Sequence, residues 1–171
     1  MENLKEKIRE IPDFPKPGIS FKDISTLIKE GPAFQNVVEQ MIRPFMQEKI
    51  DLVVGVESRG FIFAAPIACK LGAGIVIVRK PGKLPAETVK VTYQLEYGTD
   101  SLEMHKDAIK PGQTVLIVDD VLATGGTMAA TAQLVENLRG KIAGFTFVIE
   151  LDALNGRKKL AGKKVASLVH Y

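Results

Sequence analysis

The sequence predicts an α/β protein organised as a doubly wound, mainly parallel sheet. Four apolar runs, DLVVGVE, GIVIVRK, TVLIVDD and FTFVIEL, lack the polar–apolar alternation of a strand with one wet face. Strands buried on both faces belong to parallel sheets. The helix-length segments GFIFAAPIACKLG and TMAATAQLVENLRG separate the first run from the second and the third from the fourth, which is the grammar of βαβ units. Length and composition agree: 171 residues, 46% hydrophobic and 25% charged, describe a single globular domain spanning 1–171.

Taken in order, the elements begin with Leu4, Ile8 and Ile11, spaced for one face of a short helix that Pro12 ends. PDFPKPGI, with three prolines and a glycine, predicts an irregular arm. Gly31-Pro32 opens a helix whose Phe34, Val37, Val38, Met41, Ile42 and Phe45 form one apolar stripe. Pro44 removes one of its hydrogen bonds and so kinks or ends it. Residues 1–50 are thus an N-terminal arm and helix ahead of the sheet. The helix after DLVVGVE stops at Gly72, and Cys69 within it is expected to be a buried small hydrophobe. VKVTYQLEY alternates, which predicts an exposed ribbon or hairpin inside a mobile insertion over 81–106. TVLIVDD, a glycine-stopped helix and FTFVIEL complete the pattern.

Composition also limits the partners. The 23 basic and 20 acidic residues leave a net charge of +3, too slight to point to nucleic acid or a membrane. The single cysteine cannot form an internal disulfide, and MENLKEKIRE lacks the apolar core of a signal peptide. The longest wholly apolar run, from Phe61 to Cys69, is too short to span a bilayer. A cytoplasmic location is expected. His105 and His170 have no partner pattern in the sequence, and no Ser-His-Asp or Cys-His set is arguable.

In doubly wound sheets ligands bind beyond the carboxyl ends of the strands, and there the strongest motif lies: VLIVDDVLATGGT, from Val115 to Thr127. A buried strand delivers Asp119 and Asp120, and Ala123, Thr124, Gly125, Gly126 and Thr127 lead directly into a helix. Glycines let successive N–H groups point inward as an anion nest, and the helix N-terminus adds free donors. Thr127 is either a ligand or simply the helix N-cap. Adjacent carboxylates repel unless a polyhydroxyl, a cation or a developing positive charge compensates them. The Gly-Lys-Ser/Thr of a nucleoside-triphosphate loop and the GxGxxG of a dinucleotide site are both missing. An acidic pair beside a phosphate nest fits a ribose 5-phosphate.

On these residues the segment resembles the phosphoribosyl-pyrophosphate (PRPP) signature of the type I phosphoribosyltransferases. PDFPKPGISFKDIS, GVESRGFIFAAPIA, RKPGKLP, YQLEYG and ELDALNGRKKL are similar, in the same order, to segments of the adenine-using branch of that family. The resemblance runs from about Ile11 to Leu160. It implies transfer of the phosphoribosyl group from PRPP to N9 of adenine, giving AMP and pyrophosphate, with Mg²⁺ carried mainly by PRPP and no direct protein ligand. It further implies that Asp119 and Asp120 hold the ribose hydroxyls, that Ala123 to Thr127 hold the 5-phosphate, and that Ser58, Arg59, Arg79, Lys80 and Lys83 hold pyrophosphate, in part across a homodimer interface. Glu96, counted with the catalytic residues, and Tyr97 match an arm that closes over the site, and Ser20, Phe21 and Lys22 match a purine-contacting segment. Lys22 stands where a relative has arginine, and Ser20 where it has an aliphatic residue. FTFVIEL has no lysine of the kind that six-oxopurine relatives place there, which favours adenine.

The alternatives are a phosphoribosyltransferase for another purine base and a non-catalytic PRPP-sensing regulator. A regulator of that kind usually carries an added DNA-binding module, for which residues 1–50 leave little room. A phosphoacceptor receiver domain, suggested by LIVDD, would place its acidic pair near the N-terminus instead.

Overall fold

The computed structural model describes residues 4–94 and 98–171. Leu4–Lys7 forms one 3₁₀ turn, and β1 (Arg9–Ile11) then pairs antiparallel with β2 (Phe21–Asp23), setting Ile11 opposite Phe21. The helix expected from Leu4 to Ile11 is therefore a single turn followed by a strand. A stretch this short gains little as an isolated helix, and pairing with β2 satisfies its backbone instead. Leu4 and Ile8 are nonetheless buried in the core. After α1 (Ser25–Ile28), α2 (Gly31–Ile42) buries Val37, Val38 and Met41 of its apolar stripe, and at Pro44 the chain tightens into a 3₁₀ turn over Arg43–Phe45.

β3 (Leu52–Val56) leads into α3 (Gly60–Leu71), which ends on Gly72 in the left-handed conformation at φ +63°. β4 (Gly74–Val78) follows, and the alternating segment forms a hairpin of β5 (Thr88–Gln94) and β6 (Thr99–His105). β7 (Thr114–Leu122), α4 (Gly126–Asn137), β8 (Lys141–Glu150) and β9 (Val165–His170) complete the chain. The central sheet has the order β4-β3-β7-β8-β9 and every pairing in it is parallel. β9 was not anticipated: it is a half-buried edge strand, so VASLVH lacks the continuous apolar signal of the inner strands.

Both faces of the sheet are covered. Leu116 and Val118 face a cluster containing Val37, Met41, Phe63 and Ile67 of α2 and α3, while Val115 and Ile117 face one containing Leu102, Met104, Leu134 and Val135 of the hairpin and α4. Cys69, expected inside, is exposed, because it sits on the side of α3 turned away from the sheet. The chain runs outward from β3 to β4 and then returns to β7 on the other side of β3. A reversal of this kind opens a crevice between the carboxyl ends of the two strands.

The ribbon within 81–106 is rooted in the core, since Val91, Leu102 and Met104 are buried. Truncating Met104 to Ala should cost about 2–5 kcal/mol, the range for deleting a fully buried side chain. Urea unfolding measures this; a loss below about 1 kcal/mol would show that the ribbon is not part of the cooperative core.

Candidate active site

Both strands at the crevice end in polar residues. β3 gives way to Glu57, Ser58 and Arg59 before α3 starts, and β7 carries Asp119 and Asp120 toward Ala123–Thr127 and α4. A cavity of about 400 Å³ lies between them, lined by Ser58, Arg59, Asp119, Asp120, Ala123 and Thr127 together with Lys80 and Tyr93.

The acidic pair is drawn inside. Asp120 is only 3% exposed, and its Oδ2 lies 2.9 Å from Nε of Arg59. That contact is an ion pair without hydrogen-bond alignment, for the oxygen accepts no hydrogen bond. Asp119 Oδ1 accepts from the backbone N–H of Asp120 at 2.9 Å, and the absence of a Cβ on Gly60 makes room for the carboxyl. Burial, then the neighbouring Asp120 charge, pushes the Asp119 carboxyl well above the usual carboxylate range. Burial also raises Asp120, with Arg59 opposing the rise.

The loop after β7 has the conformation an anion nest needs. α4 begins at Gly126 with Gly125 as its N-cap at φ +76°, a value that side-chain-bearing residues adopt only with strain. Thr127 is thus inside the first turn and is not the cap. A Cβ on Gly125 would overlap the carbonyl oxygen of Gly156, and one on Gly156 would overlap that of Ala123. The 3₁₀ turn Gly156–Leu160 therefore lies directly against the loop. A small cavity of about 80 Å³ sits within the loop itself.

Across the crevice the cations are paired internally. Glu57 accepts from the backbone N–H of Lys80 at 2.9 Å and from Arg79 Nε at 3.1 Å, and the former bond leads in holding its carboxyl below the ordinary range. Lys80 pairs with Asp100. Asp100 stands opposite Tyr93 in the hairpin, and the Tyr93 hydroxyl lies 3.3 Å from both Asp100 Oδ2 and Thr127 Oγ1. A polar line, Lys80–Asp100–Tyr93–Thr127, thus spans the cavity. Burial pushes the Tyr93 phenol up. Sequence reasoning missed Tyr93 and Asp100, though Val89, Val91 and Tyr93 share one face of the alternating ribbon.

Of the residues expected at pyrophosphate, Ser58, Arg59 and Lys80 line the cavity. Arg79 is turned onto Glu57, and Lys83 is exposed on the turn that follows. The arm reaches the site through Phe21, whose ring lies 5.1 Å from the Arg59 guanidinium and packs edge-on against Phe14. Ser20 and Lys22 are directed elsewhere: the Ser20 hydroxyl donates to Glu10 at 3.2 Å, while Lys22 Nζ lies 2.7 Å from Glu10 and 4.0 Å from the Tyr171 ring centre. Glu96 and Tyr97 lie outside the described residues.

Glu150, Asp152 and His170 offer ligand atoms within 4.8 Å of one another. They make a poor cation site, because Arg157 already spans both oxygens of Glu150, at 2.9 and 2.5 Å, and Ser167 donates to the same carboxylate at 2.6 Å. No helix among the described residues is long and apolar enough to cross a membrane.

Residues 25–167 match the family model described as "Phosphoribosyl transferase domain". An adenine phosphoribosyltransferase of Clostridium perfringens is 61% identical over 169 residues, covering 99% of this chain and 98% of its own. The chain belongs to the adenine phosphoribosyltransferase family. A crystal structure of the adenine phosphoribosyltransferase of Thermoanaerobacter pseudethanolicus, 55% identical, has a TM-score of 0.96 and covers 98% of each chain. That of Saccharomyces cerevisiae, solved with adenine and an imino-altritol bisphosphate, is 44% identical with a TM-score of 0.91 over 96% of each chain. The doubly wound architecture expected of this family is the one observed.

For this member of the adenine phosphoribosyltransferases the acidic pair sets a pH dependence. Both folded carboxyls titrate above the unfolded value of 3.8. Once pH rises past that value the native state holds more protons than the unfolded chain, so the contribution is greatest in acid and declines as pH climbs through the folded pKa. Asp119→Asn should therefore raise the Tm of the ligand-free protein at pH 7 by about 2 °C or more, the shift from roughly 1 kcal/mol in a chain this size. The gain over wild type should shrink toward pH 4. Calorimetry across pH tests this, and a lower Tm for the variant at pH 7 refutes it.

Proposed function

We propose that the chain transfers the 5-phosphoribosyl group of PRPP to N9 of adenine, forming AMP and releasing pyrophosphate. The observation that carries this reading is the juxtaposition, at the β3/β7 crevice, of an acidic pair, Asp120 buried and Asp119 half-buried, and an uncharged amide loop at the start of α4. That is a charge pattern suited to a ribose ring bearing a 5-phosphate. The solved yeast relative with adenine bound supports the choice of base.

In the reaction the bond from the anomeric carbon to pyrophosphate breaks with its electron pair leaving on pyrophosphate, the bond to N9 forms while the N9 proton passes to the departing pyrophosphate, and the sugar ring becomes transiently cationic, as in glycoside hydrolysis. Asp119 and Asp120 lie beneath that charge and hold the ring hydroxyls. The nest from Ala123 to Thr127 fixes the 5-phosphate, so the two reactants meet in line. Ser58, Arg59 and Lys80 receive pyrophosphate, with Arg59 and Lys80 exchanging internal carboxylates for phosphate oxygens. Mg²⁺ bound chiefly through PRPP, in a cavity that Asp119 and Asp120 line, would supply charge neutralisation to the departing pyrophosphate.

Phe21 provides the face for adenine, and backbone groups beside it read the exocyclic amine, because the side chains of Ser20 and Lys22 are engaged by Glu10. A buried backbone acceptor there is left unpaired by a keto group, which selects against hypoxanthine.

We also read the protein as a cytoplasmic homodimer. β4 is an edge strand whose Ile75 and Ile77 are 46% and 37% exposed, and Ile62 of α3 is exposed as well. Apolar side chains exposed along an open sheet edge are costly in water. Arg79 follows β4 directly and Lys83 lies four residues further on, and in this reading they serve the neighbouring subunit's site.

Spectroscopic measurement of AMP formation from adenine, PRPP and Mg²⁺ tests the activity, with hypoxanthine and guanine expected to react far more slowly; no AMP from adenine would overturn it. Asp120→Asn should lower turnover roughly 30-fold. A unit charge at about 4 Å and an effective dielectric near 20 is worth at most about 4 kcal/mol, and a partial ring charge takes about half of that. A raised KM with kcat within twofold of wild type would reject the electrostatic role. Light scattering should give twice the chain mass at micromolar concentration.

A further inference from the structure

We infer that Lys159 is a binding residue for the 5-phosphate, adding a full positive charge to a loop that otherwise offers only backbone amides and hydroxyls. The inference rests on the reading of Ala123–Thr127 as the phosphate nest. Its starting point is position: Lys159 Nζ lies 3.8 Å from where a Cβ on Gly126 would sit, at the first residue of α4. The ring of Tyr93 approaches the same point at 3.4 Å. The ammonium group and the ribbon tyrosine thus flank the mouth of the nest.

The placement is built into the backbone. Lys159 belongs to the Gly156–Leu160 turn, whose ends are fixed by buried Gly156 and Leu160. Gly156 touches the backbone of Ala123 and Gly125 so closely that neither glycine can carry a side chain. The turn and the nest are therefore one packed unit, and the lysine stem starts from a fixed base. Its charge is also uncommitted. Arg157 pairs with Glu150, Lys163 with Glu136 and Lys164 with Glu48, whereas among the described residues no carboxylate lies within ion-pair distance of Lys159.

A phosphate monoester carries nearly two negative charges, and none of Ala123, Thr124, Gly125, Gly126 and Thr127 is ionised. The partial charge of a helix N-terminus falls short of that. The Lys159 ammonium beside it makes up part of the difference. Such a contact favours PRPP and AMP alike over unphosphorylated compounds.

The test is calorimetric binding of ribose 5-phosphate, AMP, adenine and pyrophosphate to the intact wild-type protein and to Lys159→Gln, Lys159→Arg and Lys158→Gln, each checked for an unchanged Tm. Lys159→Gln should weaken ribose 5-phosphate and AMP about tenfold, leaving adenine and pyrophosphate within twofold. Lys159→Arg should recover most of the loss, and Lys158→Gln, with the same change in net charge, should lose less than twofold. Retention of ribose 5-phosphate and AMP affinity within twofold by Lys159→Gln would overturn the inference while leaving the nest in place. Equal weakening of pyrophosphate, or an equal loss in Lys158→Gln, would also overturn it by exposing a general charge effect. A wild-type protein that binds neither phosphate ester would instead remove the reading of the nest itself, and the inference with it.

Discussion

Two adjacent carboxylates at the end of β7 repel each other where neither is in full contact with water, and the surrounding structure is arranged around that unfavourable placement. Asp120 leans on Arg59, and Asp119 takes the backbone N–H of its neighbour beside a helix start that has no side chain to crowd it. The same device recurs at the rim, where Glu57 holds Arg79 and Asp100 holds Lys80. Arg59, Arg79 and Lys80 thus each have an internal anion to balance them before any ligand arrives. In the proposed reaction an incoming polyphosphate exchanges partners with these groups and so avoids stripping bare charges of water. That lowers the desolvation cost, which dominates the energetics of buried ions.

Arg59 connects the two halves of the crevice. Its guanidinium touches the buried carboxylate on one side and lies near the Phe21 ring on the other. A group that draws Arg59 away from Asp120 also changes what Phe21 rests upon. The strand pairing of the arm, β1 with β2, the Phe14 ring against Phe21 and the lysines over Tyr171 hold the rest of that segment in place.

Much of this was legible in the sequence. The inner strands are covered on both faces, and continuous runs such as VLIV have no other economical explanation. The acidic pair and the ATGGT turn are contiguous, so their chemistry survives the loss of three-dimensional information. What was hidden depended on partners distant in the chain. β1 becomes a strand only because β2 lies beside it, and β9 is an edge strand with a diluted apolar pattern. Cys69 sits in an apolar stretch but on its outer side, a distinction that a low-contrast helix does not advertise. Tyr93 and Asp100 enter the site through hairpin register, and Ser20 and Lys22 leave it because Glu10 stands opposite in the arm. The double winding, by contrast, needed only the alternation of strands and helices.

The contact between Gly125 and Gly156 ties the nest to a part of the chain made much later. During synthesis β3, β7 and α4 can emerge and begin to pack while the loop between β7 and α4 still lacks the turn it rests on. The backbone surface that holds Gly125 in place is therefore completed only once β8 and the Gly156–Leu160 turn have been made, so the shape of the loop belongs as much to that later turn as to the signature motif itself.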